Sequence, residues 1–230
     1  MEVIKISDFV EFHDTMQRFA NINFLFRGQL DADWGLVPKV GRDAFKDILP
    51  SSSNEELLLD SWKRYAGHLL TSVPIDNWDW LSLAQHHGLA TRLLDWTKNP
   101  LVALYFATED YNSGKDASVF VYDFKNEDSL LQNVSPFNIT SSGVFYPKGL
   151  TARVISQRGI FSISHLPSVS LDKTLKGNFY KLIIKGKSKR KIHKHLEQYG
   201  LNEYSIYQDL DSLSDYLNRF VIDRNNIDVV

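Results

Sequence analysis

The run Asn99-Pro100-Leu101-Val102-Ala103-Leu104-Tyr105-Phe106-Ala107 limits the folds open to this chain more than any other stretch. Asparagine ahead of proline marks a helix start. The Asn side chain accepts from open backbone N–H groups, and the proline's missing N–H is no loss at the first helical position. A helix is therefore expected from Pro100 to about Tyr111. Its residues are apolar nearly all round, so other elements must enclose it. At 230 residues, 43% hydrophobic and 23% charged, the chain has enough apolar material to build such layers.

Alternating β-branched residues from Val3 to Ile6 read as a strand. Ser7-Asp8 then caps a helix carrying Phe9, Val10, Phe12, Met16 and Phe19 at near-helical spacing. Asn23 to Arg27 reads as a second strand stopped by Gly28, and Trp34 to Pro38 as extended chain. The polar break at 50–54 caps a helix reaching about Leu70, and a further helix covers Asn77 to His87, ending at Gly88. Strands are expected at Ala117–Phe124, Ala152–Ile155, Ile160–Ser164 and Phe179–Lys185. Helices follow near Arg190–Tyr199 and from about Leu210 to Val221. The class is α+β: a single domain with a mixed or antiparallel sheet at the two chain ends and a helical middle insertion at about 54–112.

The 26 Lys and Arg against 28 Asp and Glu leave a formal charge of −2, so no chain-wide basic field draws the protein to nucleic acid. Basic charge is instead local, with six Lys or Arg in the ten residues 185–194. There Lys187, Lys189, Arg190 and Lys191 are candidates to meet nucleic acid or a protein partner. With no cysteine, thiolate nucleophiles and thiolate-held metals are excluded. No phosphate-binding glycine loop, dinucleotide fingerprint or nucleophile elbow is present, which removes kinases, Rossmann dehydrogenases and α/β-hydrolases. The N-terminus carries no apolar core of signal-peptide length, and the longest apolar run, Pro100 to Ala107, is too short to span a bilayer. A cytoplasmic protein without membrane contact is expected.

Arg27, at the end of the apolar segment Phe24-Leu25-Phe26, needs a partner because a buried unpaired charge is too costly. It reads as an anchor for phosphate or carboxylate, or as half of a structural pair with an internal carboxylate such as Asp95. The segment from Trp80 to Thr97 interleaves directional polar groups with leucines and tryptophans. It reads as a hydrogen-bond network fixing a helix-to-helix turn, with Arg92 facing Asp95 if the turn is helical. Adjacent His86 and His87 do not point at one ion, so no metal is expected. Ser162 and Ser164 fall on one face of a strand.

Phe26-Arg27-Gly28 with Trp34, Leu36 and Pro38, then Gln85-His86-His87-Gly88 with Thr91-Arg92-Leu93-Leu94-Asp95-Trp96-Thr97 and Asn99-Pro100, then Arg153, Gln157, Gly159 and Phe161 together resemble the FRG domain family, named for its Phe-Arg-Gly tripeptide. The resemblance makes Gln85, His86, Thr91, Arg92, Asp95, Arg153 and Gln157 motif residues. It implies a bacterial context associated with defence against phage or with toxins, with an antitoxin or regulatory partner in prospect.

The order Arg-Gly, Phe-Ser-x-Ser and a later Glu is also similar to the Arg, Ser and Glu motifs of ADP-ribosyltransferases. That similarity implies NAD as co-substrate and a macromolecular target. Arg27 and Gly28 would hold its phosphate or ribose, Ser162 would support the nicotinamide pocket, and Phe161 or Tyr204 would stack on nicotinamide. Glu203 would bond the ribose hydroxyl and stabilise the charge that develops as nicotinamide leaves. Leu201 stands where arginine-modifying members carry a second acid, so the similarity implies another acceptor or NAD hydrolysis. Two other readings stay open: a non-catalytic binding module in which Arg27, Arg92, Asp95, Gln157 and His86 form an internal polar network, and a hydrolase or nuclease in which His86 and Asp95 share one cleft.

Overall fold

Local capping chemistry places the helices. In the computed structural model, which describes residues 1–70, 72–130, 132–147 and 159–227, Asp8 accepts from the Glu11 N–H at 2.9 Å, Ser51 from Asn54 at 3.2 Å and Asn99 from Leu101 at 3.0 Å. The elements run β1 (Glu2–Ile6), α1 (Phe9–Met16), β2 (Phe24–Gln29), α2 (Ser52–Ala66), α3 (Asn77–His86), β3 (Leu93–Thr97), α4 (Pro100–Thr108) and β4 (Ala117–Asp123). Then follow β5 (Gly143–Phe145), β6 (Gly159–Ile163), β7 (Asn178–Ile184), α5 (Gly186–Gln198), α6 (Glu203–Tyr207) and α7 (Leu210–Ile227).

The strands form one mixed sheet in the order β1-β7-β4-β2-β3-β6-β5. Only β1 and β7 are parallel; the other pairs are antiparallel. The chain is therefore α+β with one sheet, as its sequence pattern predicts. Helix α4 lies on one face, where Val102, Ala103, Leu104 and Ala107 pack with Phe26, Val119, Val121, Leu182 and Ile184 beneath α1 and α5. On the other face Leu25, Trp96, Phe120, Tyr122 and Phe179 pack against Leu36 and Leu171. A third cluster, Leu59, Trp78, Leu81, Phe145, Phe161 and Ile163, seats α2 and α3 against the β3-β6-β5 end.

Three expectations change. The segment 54–112 is not wholly helical, because Leu93–Thr97 is a strand in the middle of the sheet. Gly28 does not stop β2, which continues to Gln29. An added Cβ there would lie 2.0 Å from the Ala103 carbonyl oxygen and 2.7 Å from the Ala107 nitrogen, so the glycine serves the close approach of α4. Helix α5 begins at Gly186 rather than near Arg190, and Glu203 starts a short helix of its own. The strand expected at Ala152–Ile155 lies outside the described residues. Among the described residues no helix is long and apolar enough to cross a membrane.

Candidate functional site at an opening in the sheet

Strand β2 is bonded to β4 through six register pairs, but to β3 through one, Phe26 with Thr97. Beyond that pair the two strands diverge and the sheet opens. The opening holds a cavity of about 310 Å³ lined by four successive residues of β2, Phe26, Arg27, Gly28 and Gln29. Successive strand residues point to opposite faces, so one cavity meets all four only along the strand's unpaired edge. Gln85 and His86 from the end of α3, Asp95, Trp96 and Thr97 from β3, Ala103 and Phe106 from α4 with Glu109 at its C-cap, Gly159 and Phe161 from β6, and Leu30, Trp34 and Arg42 from the connection after β2 complete the lining.

Arg27 spans the opening. Its Nη1 donates to the Asp95 carbonyl oxygen at 2.8 Å and lies 3.5 Å from the Asp95 carboxylate. A side chain thus reaches the β3 carbonyl where the strand ladder has ended. Burial pulls the guanidinium below its usual pKa, Asp95 opposes that shift and nearby Arg42 adds to it. Arg27 Nε and Gln29 Oε1 are buried without a hydrogen-bond partner among the described residues. Buried polar groups are paired almost everywhere in folded proteins, so two unpaired ones beside a single cavity mark it as a place where satisfaction depends on what enters.

Asp95 is the one exposed residue of β3, with its side chain about half exposed (51%). Gln85 Nε2 donates to its Oδ2 at 2.8 Å, Thr91 Oγ1 donates to Gln85 Oε1, and the Leu93 N–H donates to Thr91 Oγ1 at 3.1 Å. That relay fixes the carboxylate from behind. Arg92 does not face Asp95, because a strand and not a helical turn separates them. It turns inward, making two bonds of 2.8 and 2.6 Å to Glu55 of α2, with both side chains at most 5% exposed. His86 is half-buried and, with Asp95, lines the same cavity, as the hydrolase reading requires.

The other residues drawn from the ADP-ribosyltransferase similarity divide. Arg27, Gly28 and Phe161 line the cavity; Ser162, Glu203 and Tyr204 do not. Ser162 is fully buried and its Oγ accepts from the Trp96 indole at 2.7 Å. Glu203 is ion-paired with Arg219 of α7, and Arg219 also meets Glu197 at 3.5 Å, which ties α5, α6 and α7 together. Burial raises the Glu203 pKa, against the pull of Arg219. Tyr204 is exposed on α6. The carboxylates that do line the cavity are Asp95 and Glu109, the latter accepting from the Tyr207 hydroxyl. The sequence singles out Asp95 as a partner for Arg27 and as a motif residue but misses Glu109, which belongs to no motif. Arg153 and Gln157 lie outside the described residues.

The basic run is also split by its helix. Lys189 is buried, with Nζ donating to Ser113 Oγ at 2.7 Å, and Lys185 pairs with Asp116 at 2.8 Å. Lys189 is therefore not presented to a partner. Lys187, Arg190, Lys191 and Lys194 are exposed at the i, i+3, i+4, i+7 spacing of one helical face.

No curated protein and no solved structure matches this chain. Residues 22–116 match the family model of the FRG domain. That stretch holds β2, α2, α3, β3 and α4, and it supplies every described lining residue except Gly159 and Phe161. The similarity to the FRG domain is therefore confined to residues 22–116, and the cavity at the sheet opening is lined chiefly by residues of that stretch.

Proposed function

We propose that the cavity binds NAD and that the chain breaks the bond between nicotinamide and ribose. The observation that carries this reading is the meeting of two guanidinium groups, a half-exposed carboxylate and several aromatic rings at one opening in the sheet. Arg27 and Arg42 offer the planar donor forks suited to phosphate. The volume of about 310 Å³ is at the lower end of the roughly 300–1,000 Å³ typical of ligand pockets, so one mononucleotide half of the molecule occupies it.

In the reaction the C1′–N bond breaks and its electron pair leaves on nicotinamide, whose ring becomes neutral. Positive charge develops on the ribose. Water, or a nucleophile of a macromolecule, then adds at C1′ and gives up a proton. A carboxylate facing C1′ accelerates this because it meets charge that exists only in the transition state. The similarity to ADP-ribosyltransferases assigns that task to Glu203, but Glu203 is tied to Arg219 away from the cavity. Asp95, held by Gln85 and Arg27, is the carboxylate suited to it.

Calorimetric titration with NAD and ADP-ribose, with nicotinamide release followed in parallel, tests the reading. Asp95→Asn should keep NAD affinity within a few-fold while release falls on the order of a hundredfold or more. Arg27→Lys should weaken binding of both ligands. Failure of NAD and ADP-ribose to bind at millimolar concentration, or wild-type release by Asp95→Asn, overturns it.

A further inference from the structure

Trp34 differs from the other tryptophans of the chain. Trp62 and Trp80 meet edge to face, Trp78 packs on Phe145 and donates to the Val134 carbonyl, and Trp96 packs near Tyr122 and bonds Ser162. Trp34 is 49% exposed, has no aromatic neighbour among the described ring pairs, and lines the cavity. It is carried by the connection between β2 and α2, which also brings Arg42 to the cavity. A large apolar side chain thus stands half in solvent at a cavity that two guanidinium groups also line. Leaving such a ring uncovered forgoes the burial that usually holds a tryptophan in place.

We infer that Trp34 is the stacking platform for the planar ring of the ligand, so that the cavity selects ring-bearing nucleotides over sugar phosphates that carry the same charge. This rests on the nucleotide reading of the cavity and adds which part of the ligand sets affinity. The guanidinium groups of Arg27 and Arg42 answer the phosphate and are indifferent to the ring. Trp34 supplies the discrimination, because an indole face stacks on a heteroaromatic ring at little entropic cost and has no counterpart interaction with a bare sugar.

The test compares AMP, nicotinamide mononucleotide and ribose 5-phosphate by titration against wild type, Trp34→Phe and Trp34→Leu, with circular dichroism and thermal melting to show that the variants fold. Wild type should bind the two nucleotides more tightly than ribose 5-phosphate. Trp34→Leu should lose nucleotide affinity on the order of tenfold to a hundredfold and leave ribose 5-phosphate unchanged, and Trp34→Phe should retain most of the nucleotide affinity. Binding of all three probes with equal affinity, or an equal effect of Trp34→Leu on all three, overturns the inference while the cavity reading stands. Failure of every probe to bind wild type overturns both.

Discussion

Removing Glu55 tests how the cavity's framework is held. Glu55 and Arg92 have side chains 2% and 5% exposed and share two bonds of 2.6 and 2.8 Å, with the guanidinium also 5.8 Å from the Phe137 ring centre. Truncating one member leaves the other charge buried and unpaired, which costs about 3–5 kcal/mol. Against a typical domain stability of roughly 5–15 kcal/mol, Glu55→Ala alone should shift the urea midpoint steeply. Arg92→Ala should do the same, and the double variant should lose about as much as either single one, because the second truncation removes a charge already stranded. Glu55→Met with Arg92→Leu should recover most of the loss, since an apolar pair of similar volume avoids the desolvation cost of both ions. Arg92 lies three residues before Asp95, so the single variants should also loosen the Gln85 grip on that carboxylate and weaken ligand binding at temperatures where the fold persists. Losses of less than about 1 kcal/mol for the single variants, or single losses that simply add, would refute the assignment of this pair as the tie between α2 and β3.

Two further outcomes follow from the packing. Gly28→Ala places a methyl 2.0 Å from the Ala103 oxygen and 2.7 Å from the Ala107 nitrogen. Both neighbours are backbone, so destabilisation should reach or exceed about 3 kcal/mol in denaturant melts, and a loss below 1 would contradict the geometry. His193 is buried against Tyr105 and Tyr111, with Nδ1 3.1 Å from Thr108 Oγ1, and burial, aided by Arg219, lowers its pKa to about 4. A depressed folded-state value means that the neutral form favours folding. Its contribution is complete above the unfolded value near 6.5 and is lost as pH falls toward 4, on the order of 2 kcal/mol by pH 5. Urea melts at pH 7.5 and pH 5 should show that loss in wild type and a smaller one in His193→Gln; equal losses would exclude His193 as the source.

Much of the fold was legible because its signals are local. Asn99 before Pro100, Ser51 before α2 and Asp8 before α1 act within one helical turn, and each caps as its sequence predicts. The apolar circumference of α4 required enclosure, and the helix is enclosed. Strand β3 was illegible for the opposite reason. Leu93-Leu94-Asp95-Trp96-Thr97 is a short run whose extended form depends on Phe161 and its neighbours in β6, more than sixty residues away. The basic run was half legible: its charge can be counted, but helical phase sends Lys189 inward and Arg190 outward.

The residues themselves determined that Arg27 needed a partner and named Asp95 among the carboxylates that could provide one. They also determined that chemistry here runs without cysteine. Only the tertiary structure decided which carboxylates Arg27 shares a cavity with. Order along the chain favoured Glu203, but the divergence of β2 from β3 puts Asp95 and Glu109 in the cavity, while Glu203 closes a helix junction with Arg219. The reason is that capping and periodicity are properties of neighbouring residues. A cavity is set by where strands stop pairing, which depends on contacts between segments distant along the chain.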